Sequence, residues 1–278
     1  MKDFHSLVVS GGSVKVLSVI GVVKFLNDNN KLNNIINYVG TSAGSIVCLF
    51  LILNYSTDEI VQFILDNCFN GEIMKLDVDE IFNIFTEYGV SSGVNLIEMI
   101  KKIIFLKLKV DDITFIDLAK HTGKNLVTCV ANITKEQHEF FSVDTQPNMS
   151  IVTAIRTSCS IPILFTPVTI NDDLYVDGAV FSNFPISYFK EDRLKDILGI
   201  YINTPHNKNI TNIFEYINLL TSIIINKANN MSMNDDDKNI ITIEFKDESN
   251  MNLQLDFSKE TMKEYIKLGY NLTKKRFE

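Results

Sequence analysis

Residues 37–47 read NYVGTSAGSIV, so that Ser42 stands two positions after Gly40 and two before Gly44, with apolar residues leading in and a helix-forming run leading out. No other feature of the chain constrains its fold as strongly. A serine on a sharp strand-to-helix turn needs neighbours without bulk, because the bend crowds backbone against backbone. With 12 glycines among 278 residues, a Gly-x-Ser-x-Gly arises by chance about 0.04 times in a chain of this composition. The flanks fit the turn: residues 35–39 are predicted as a short buried strand and 45–53 as an apolar helix. Ser42 is therefore a candidate nucleophile, and it needs a group to take its proton.

Elsewhere strands and helices alternate, which places the chain in the α/β class, with a mostly parallel central sheet and helices on both faces. Strands are predicted at 7–9, 125–131, 139–143, 168–170, 174–176, 197–202 and 240–245, and helices at 15–26, 210–227 and 258–274. The stretch 57–120 is richer in helical pattern and is a candidate cap or lid. Within it TEYGVSSGVN reads as a loop and VNLIEMIKKIIFLKLK as the most amphipathic segment. With 46% hydrophobic residues, residues 1–278 can bury one large core and read as a single domain. There is no internal repeat, and the Asn-rich segments, NDDDK included, read as polar loops.

A formal charge of −8, with no dense basic run, argues against nucleic acid as a partner. The chain opens on a strand pattern, and its longest apolar run, 46–53, is far too short to span a bilayer, so a cytoplasmic protein is expected. Transient contact with a membrane surface could use KKIIFLKLK, from Lys101 to Lys109, as a local basic and apolar face; the competing reading makes it a core helix. Cys48, Cys68, Cys129 and Cys159 are widely spaced without a C-x-x-C pair, which points to reduced core thiols. The sequence leaves the oligomeric state open.

Three histidines and one carboxylate compete for the Ser42 proton. A triad of the α/β-hydrolase type orders serine, acid and then histidine, and the histidine that fits that order is His206, in the turn-like NTPHNKN. His121 and His138 flank a predicted strand and read as surface residues. Asp177, in YVDGAVFSNFP, directly follows an apolar strand and precedes Gly178, which lets the chain turn tightly beside another backbone. An ordinary Asp-Gly turn has the same pattern.

Four blocks, in order, resemble the patatin-like phospholipases, acyl hydrolases that use a Ser–Asp dyad without histidine. They are the first strand running into SGGSVKV and a helix containing Gly21, then GTSAG, then AIRTSCSIPILFTPV, and then YVDGA followed by Asn183 and Pro185. The resemblance implies Ser42 as nucleophile, Asp177 as the acid that takes its proton, and Gly11, Gly12 and Ser13 as the oxyanion loop. It also implies a phospholipid or other acyl lipid as substrate, and no metal or organic cofactor. Lys15 stands where the family carries a basic residue.

The chain departs from the family pattern at two loop positions, with Ser13 and Val16 where glycines are expected. A positive φ at Ser13 would strain it, and a β-branched Val16 could crowd the helix behind the loop. Two other readings share these residues: a catalytically silent lipid-binding protein and a non-lipid serine esterase or peptidase.

Overall fold

The structure, a computed structural model, describes residues 4–67, 83–190, 194, 196–203, 216, 219–220, 223, 239–245 and 259–277. His206, Cys68, the NDDDK segment and nearly all of the helix expected at 210–227 lie outside them.

β1 (Ser6–Val9) leads through residues 10–12 and a 3-10 turn (Ser13–Val16) into α1 (Leu17–Asp28). β2 (Asn37–Thr41) leads through Ser42 into α2 (Ala43–Ile52). Then come α3 (Thr57–Asn67), α4 (Asn83–Glu87), β3 (Gly89–Ser91), α5 (Val94–Leu108) and α6 (Phe115–Thr122). β4 (Asn125–Asn132) and β5 (Gln137–Ser142) pair as antiparallel neighbours, and α7 (Ile151–Ser158) follows. β6 (Ile163–Phe165), β7 (Val168–Ile170) and β8 (Asp173–Asp177) lead to α8 (Ala179–Ser182). β9 (Ile197–Asn203), β10 (Ile240–Glu244) and α9 (Lys259–Phe277) complete the described chain.

The main sheet runs β10-β9-β1-β2-β4-β8-β7, with β5 also paired to β4. It is parallel from β10 to β4 and antiparallel where β5, β8 and β7 join. Its parallel strands are apolar on both faces, as strands covered on both sides must be. Leu7 and Val9 of β1, Leu126 and Val130 of β4, and Leu198, Ile200 and Ile202 of β9 enter the large core beneath the helices. The alternate residues Val8, Val39, Val127, Ile197 and Tyr201 form a smaller cluster on the other face with Phe184, flanked by Phe140, Ile186 and Tyr188.

Two findings refine the 57–120 region. The loop-like TEYGVSSGVN contains β3, which pairs in parallel with β6 to make a separate two-stranded sheet. α5 buries Leu96, Ile100, Ile103 and Ile104 in the main core. Its lysines are engaged locally: Lys101 pairs with Glu98 at 2.8 Å, Lys107 with Glu59 at 2.8 Å, and Lys102 donates to Asn67 Oδ1 at 2.6 Å. KKIIFLKLK thus turns Ile103 and Ile104 into the core and leaves Phe105 and Leu106 exposed at 45% and 44%.

Candidate active site

Ser42 sits between the last residue of β2 and the first turn of α2, with φ 53° and ψ −131°. That left-handed φ is costly for a residue with a Cβ, roughly 1–3 kcal/mol, and persists only where the surroundings over-determine it. Here they do. A Cβ on Gly40 would come within 2.6 Å of the Ser45 backbone, and one on Gly44 within 2.6 Å of the Val9 and Ser10 carbonyl oxygens. Both glycines are therefore required by close backbone approach. The Ser42 N–H donates to Ser158 Oγ at 2.9 Å, and the Ser42 carbonyl accepts from the Ser45 N–H at 2.9 Å and the Ser45 hydroxyl at 2.6 Å.

Asp177 arrives at the same point from the opposite direction. β2 runs parallel to β4 as far as Thr41, which lies opposite Cys129. β8 runs antiparallel to β4 and ends with Asp177 opposite Val130. Because β5 occupies the other edge of β4 over Val127–Asn132, β2 and β8 share one edge and meet end to end. Ser42 and Asp177 are brought together by that register. Gly178 permits the bend after the acid, since a Cβ there would lie 2.3 Å from the Cys129 carbonyl oxygen.

The acid is buried, at 2% exposure. Its Oδ1 accepts from the Ala179 N–H at 2.9 Å, while Oδ2 is buried without a hydrogen-bond partner among the described residues. Burial pushes the carboxyl up to about 7, against the downward pull of the Ser42 hydroxyl and the Ala179 N–H. The Ser42 hydroxyl is thus near enough to favour the ionised carboxylate, while Oδ2 has no hydrogen-bond partner among the described residues. Catalytic hydrogen bonds often tighten only around a substrate. A carboxyl that titrates near 7 is a far better base than a free aspartate with pKa near 3.9. His5, His121 and His138 are exposed.

The loop after β1 lies against the nucleophile: a Cβ on Gly11 would be 3.2 Å from Ser42 Cβ. The Gly11 N–H, however, donates to the Asn183 carbonyl at 3.2 Å. Among the described residues the Gly12 and Ser13 N–H groups have no acceptor, and they open the turn into α1. Ser13 has φ 48°, the strained conformation that a glycine would take freely. Val16 has helical angles, φ −57° and ψ −18°, so nothing in its backbone calls for glycine. Lys15 lies with its ammonium group 5.2 Å from the centre of the Phe245 ring.

Sequence reasoning missed the residues that hold this arrangement. Ser10 Oγ donates to the Gly11 carbonyl at 3.0 Å and accepts from the Ile202 N–H at 2.9 Å, fixing the loop to β9. Ser158 Oγ, which receives the Ser42 N–H, donates to the Cys129 carbonyl at 2.7 Å. The Ser160 carbonyl accepts the Asp177 N–H at 2.9 Å. Between these two serines, burial pushes the Cys159 thiol up, and Asp177, Arg156, Ser45 and Ser42 all act on it. It stays a neutral thiol and offers no rival nucleophile. The available signal was the run of small polar residues TSCS after an apolar helix.

A serine on a strained turn, a buried aspartate, and two N–H groups that open a helical turn and have no acceptor among the described residues form a set able to carry out acyl transfer. The profile of the family described as Patatin-like phospholipase matches residues 7–190. The chain is similar to Probable lipid hydrolase 463L of Invertebrate iridescent virus 6, with 33% identity over 189 residues, covering 66% of this chain and 63% of that protein. It therefore spans a little under two thirds of that relative. Protein R571 of Acanthamoeba polyphaga mimivirus is 31% identical over 281 residues, covering 95% of this chain and 90% of that one. VipD from Legionella pneumophila shares the fold at a TM-score of 0.59 and 19% identity, covering 99% of this chain and 66% of that one.

Proposed function

The chain belongs to the patatin-like phospholipase family, and from that premise we propose that it is a lipid acyl hydrolase of the phospholipase A type, working through a Ser42–Asp177 dyad. The observation that carries this reading is the meeting of β2 and β8 on one edge of β4, with Thr41 opposite Cys129 and Asp177 opposite Val130. The viral relative named as a probable lipid hydrolase supports the same substrate class.

In this reading Ser42 Oγ attacks the ester carbonyl carbon while its proton passes to Asp177 Oδ2, the oxygen that Ala179 leaves free. The oxyanion takes hydrogen bonds from the Gly12 and Ser13 N–H groups, with the N-terminal end of α1 adding positive potential. Gly11, whose own N–H is engaged by Asn183, acts as the spacer that brings the loop against Ser42. Collapse of the intermediate expels the alcohol, which takes the proton from Asp177. Water then attacks the acyl-serine, Asp177 accepts its proton, and the fatty acid leaves as Ser42 is reprotonated.

A labelled fluorophosphonate and a phospholipid hydrolysis assay test this directly. Wild type is expected to label and turn over, and Ser42→Ala and Asp177→Asn each to lose at least about a thousandfold in turnover while remaining folded, since each removes half of one chemical unit. Full turnover in folded Asp177→Asn would count decisively against the dyad. Ser13 favours a second reading, a silent lipid-binding protein, because its strain falls on a proposed oxyanion donor. Lipid binding by a folded wild type that neither labels nor hydrolyses would select that reading.

A further inference from the structure

Arg156 is 5% exposed and lies in the last turns of α7. Among the described residues it has no carboxylate within ion-pair distance. Instead Nη1 donates to Ser160 Oγ, and Nη2 donates to the Ser92 carbonyl at 2.9 Å, the Thr166 carbonyl at 3.0 Å and Thr166 Oγ1 at 3.2 Å. The Phe165 ring lies 5.2 Å from the guanidinium carbon. A guanidinium buried among neutral acceptors is costly to desolvate, and it repays that cost by supplying donors to the Ser92 and Thr166 carbonyls. Its fork geometry is what a simpler side chain cannot reproduce.

That geometry converges on the candidate dyad. Ser160 Oγ returns a hydrogen bond to the Arg156 carbonyl at 2.9 Å, so the two residues clasp each other. Through its own carbonyl Ser160 holds the Asp177 N–H, and two residues earlier Ser158 Oγ holds the Ser42 N–H. The main chains of both dyad residues therefore hang on one three-residue segment, which lies just where α7 ends. The other arm of the guanidinium fastens that segment to β3 and the β6–β7 turn. The surrounding chain makes room for it: Gly93 takes φ 76°, and a Cβ there would lie 2.3 Å from Arg156 Nε.

We propose that Arg156 is a positioning residue that sets the separation of Ser42 and Asp177 by clamping Ser160 against the small β3–β6 sheet. The proposal rests on the dyad reading, and it assigns Arg156 no contact with substrate. The fork carries the effect, so Arg156→Lys, which keeps the charge, is expected to behave like Arg156→Met. On a soluble p-nitrophenyl ester both variants should lose tenfold to a hundredfold in kcat, with KM within about twofold of wild type. Arg156→Met combined with Ser160→Ala should lose no more than the worse single variant, because both act through one contact.

Wild-type kcat in a folded Arg156→Lys or Arg156→Met protein, shown by circular dichroism and thermal unfolding, would overturn the proposal. So would losses that multiply in the double variant. If neither arginine variant folds, Ser160→Ala carries the test: a tenfold fall in kcat at unchanged KM supports the clamp, and wild-type kcat overturns it. Equal turnover by wild type and Ser42→Ala would remove the dyad itself and this proposal with it. Turnover that depends on Ser42 but ignores Arg156 removes the clamp alone.

Discussion

In the proposed dyad, burial of Asp177 links catalysis and stability in opposite senses. The carboxyl titrates near 7 in the folded chain, against about 3.9 when unfolded. As a base it must be ionised, so kcat/KM for a neutral ester is expected to rise with pH along an acid limb with an apparent pKa of about 7. Stability runs the other way. Below about pH 4 both states hold the proton and the aspartate costs nothing; as pH rises the unfolded state releases its proton first, so stability falls until the folded carboxyl has ionised, above about pH 7. The loss is at most about 4 kcal/mol. Asp177→Asn removes the buried charge and should melt at a higher temperature than wild type at pH 8, with the two curves converging toward pH 4. Thermal unfolding across that range checks the sign, and a variant that melts lower at pH 8 contradicts it.

The 3-10 turn that opens α1 joins a strained serine to an unstrained valine, and the two respond differently to glycine. Ser13 at φ 48° carries a left-handed penalty of roughly 1–2 kcal/mol, part of which a glycine gives back through its greater chain entropy. Ser13→Gly is therefore expected to stabilise the chain by up to about 1 kcal/mol and to label with fluorophosphonate at least as fast as wild type. Val16→Gly gains nothing at a helical φ of −57° and should destabilise by about 0.5–1 kcal/mol. Urea unfolding and labelling rates of the two single variants separate these effects. Slower labelling by Ser13→Gly would mean that its hydroxyl or its strain assists the reaction.

Across the molecule, α9 closes the layer that backs the loop. It crosses α1 at two glycines: a Cβ on Gly21 would come within 1.8 Å of the Ile266 carbonyl oxygen, and one on Gly269 within 1.8 Å of the Ser18 carbonyl oxygen. The crossing also packs the Phe25 ring edge-on against Tyr270 at 5.5 Å. Since α1 continues the 3-10 turn that begins at Ser13, a helix distant in sequence supports the strand-to-helix turn at the site. Gly269→Ala must separate the two helices and is expected to cost about 1–3 kcal/mol, the range for overpacking with backbone displacement. A lower urea midpoint at unchanged slope is the expected reading. A midpoint equal to wild type would show that the crossing yields without cost.

The features legible in the sequence are those whose causes are local. Gly40 is needed by the bend around Ser42 itself, where a Cβ would meet the Ser45 backbone, and the largely apolar runs of β1, β4 and β9 follow from burial on two faces, so both could be read before any contact was known. Asp177 and Gly178 could be read as an acid at a turn for the same reason. The small β3–β6 sheet could not, because a three-residue Gly-Val-Ser strand has the composition of a loop and becomes a strand through a partner far along the chain. Nor could the engagement of the Gly11 N–H by Asn183, the serines that hold the dyad's backbone, or the neutral cage of Arg156. Each depends on a hydrogen bond between groups that register and helix packing bring together. A residue pattern states which groups need partners, but the pairing of β2 and β8 along one edge of β4 decides which partners they meet, and so turns a serine and an aspartate 135 positions apart into neighbours.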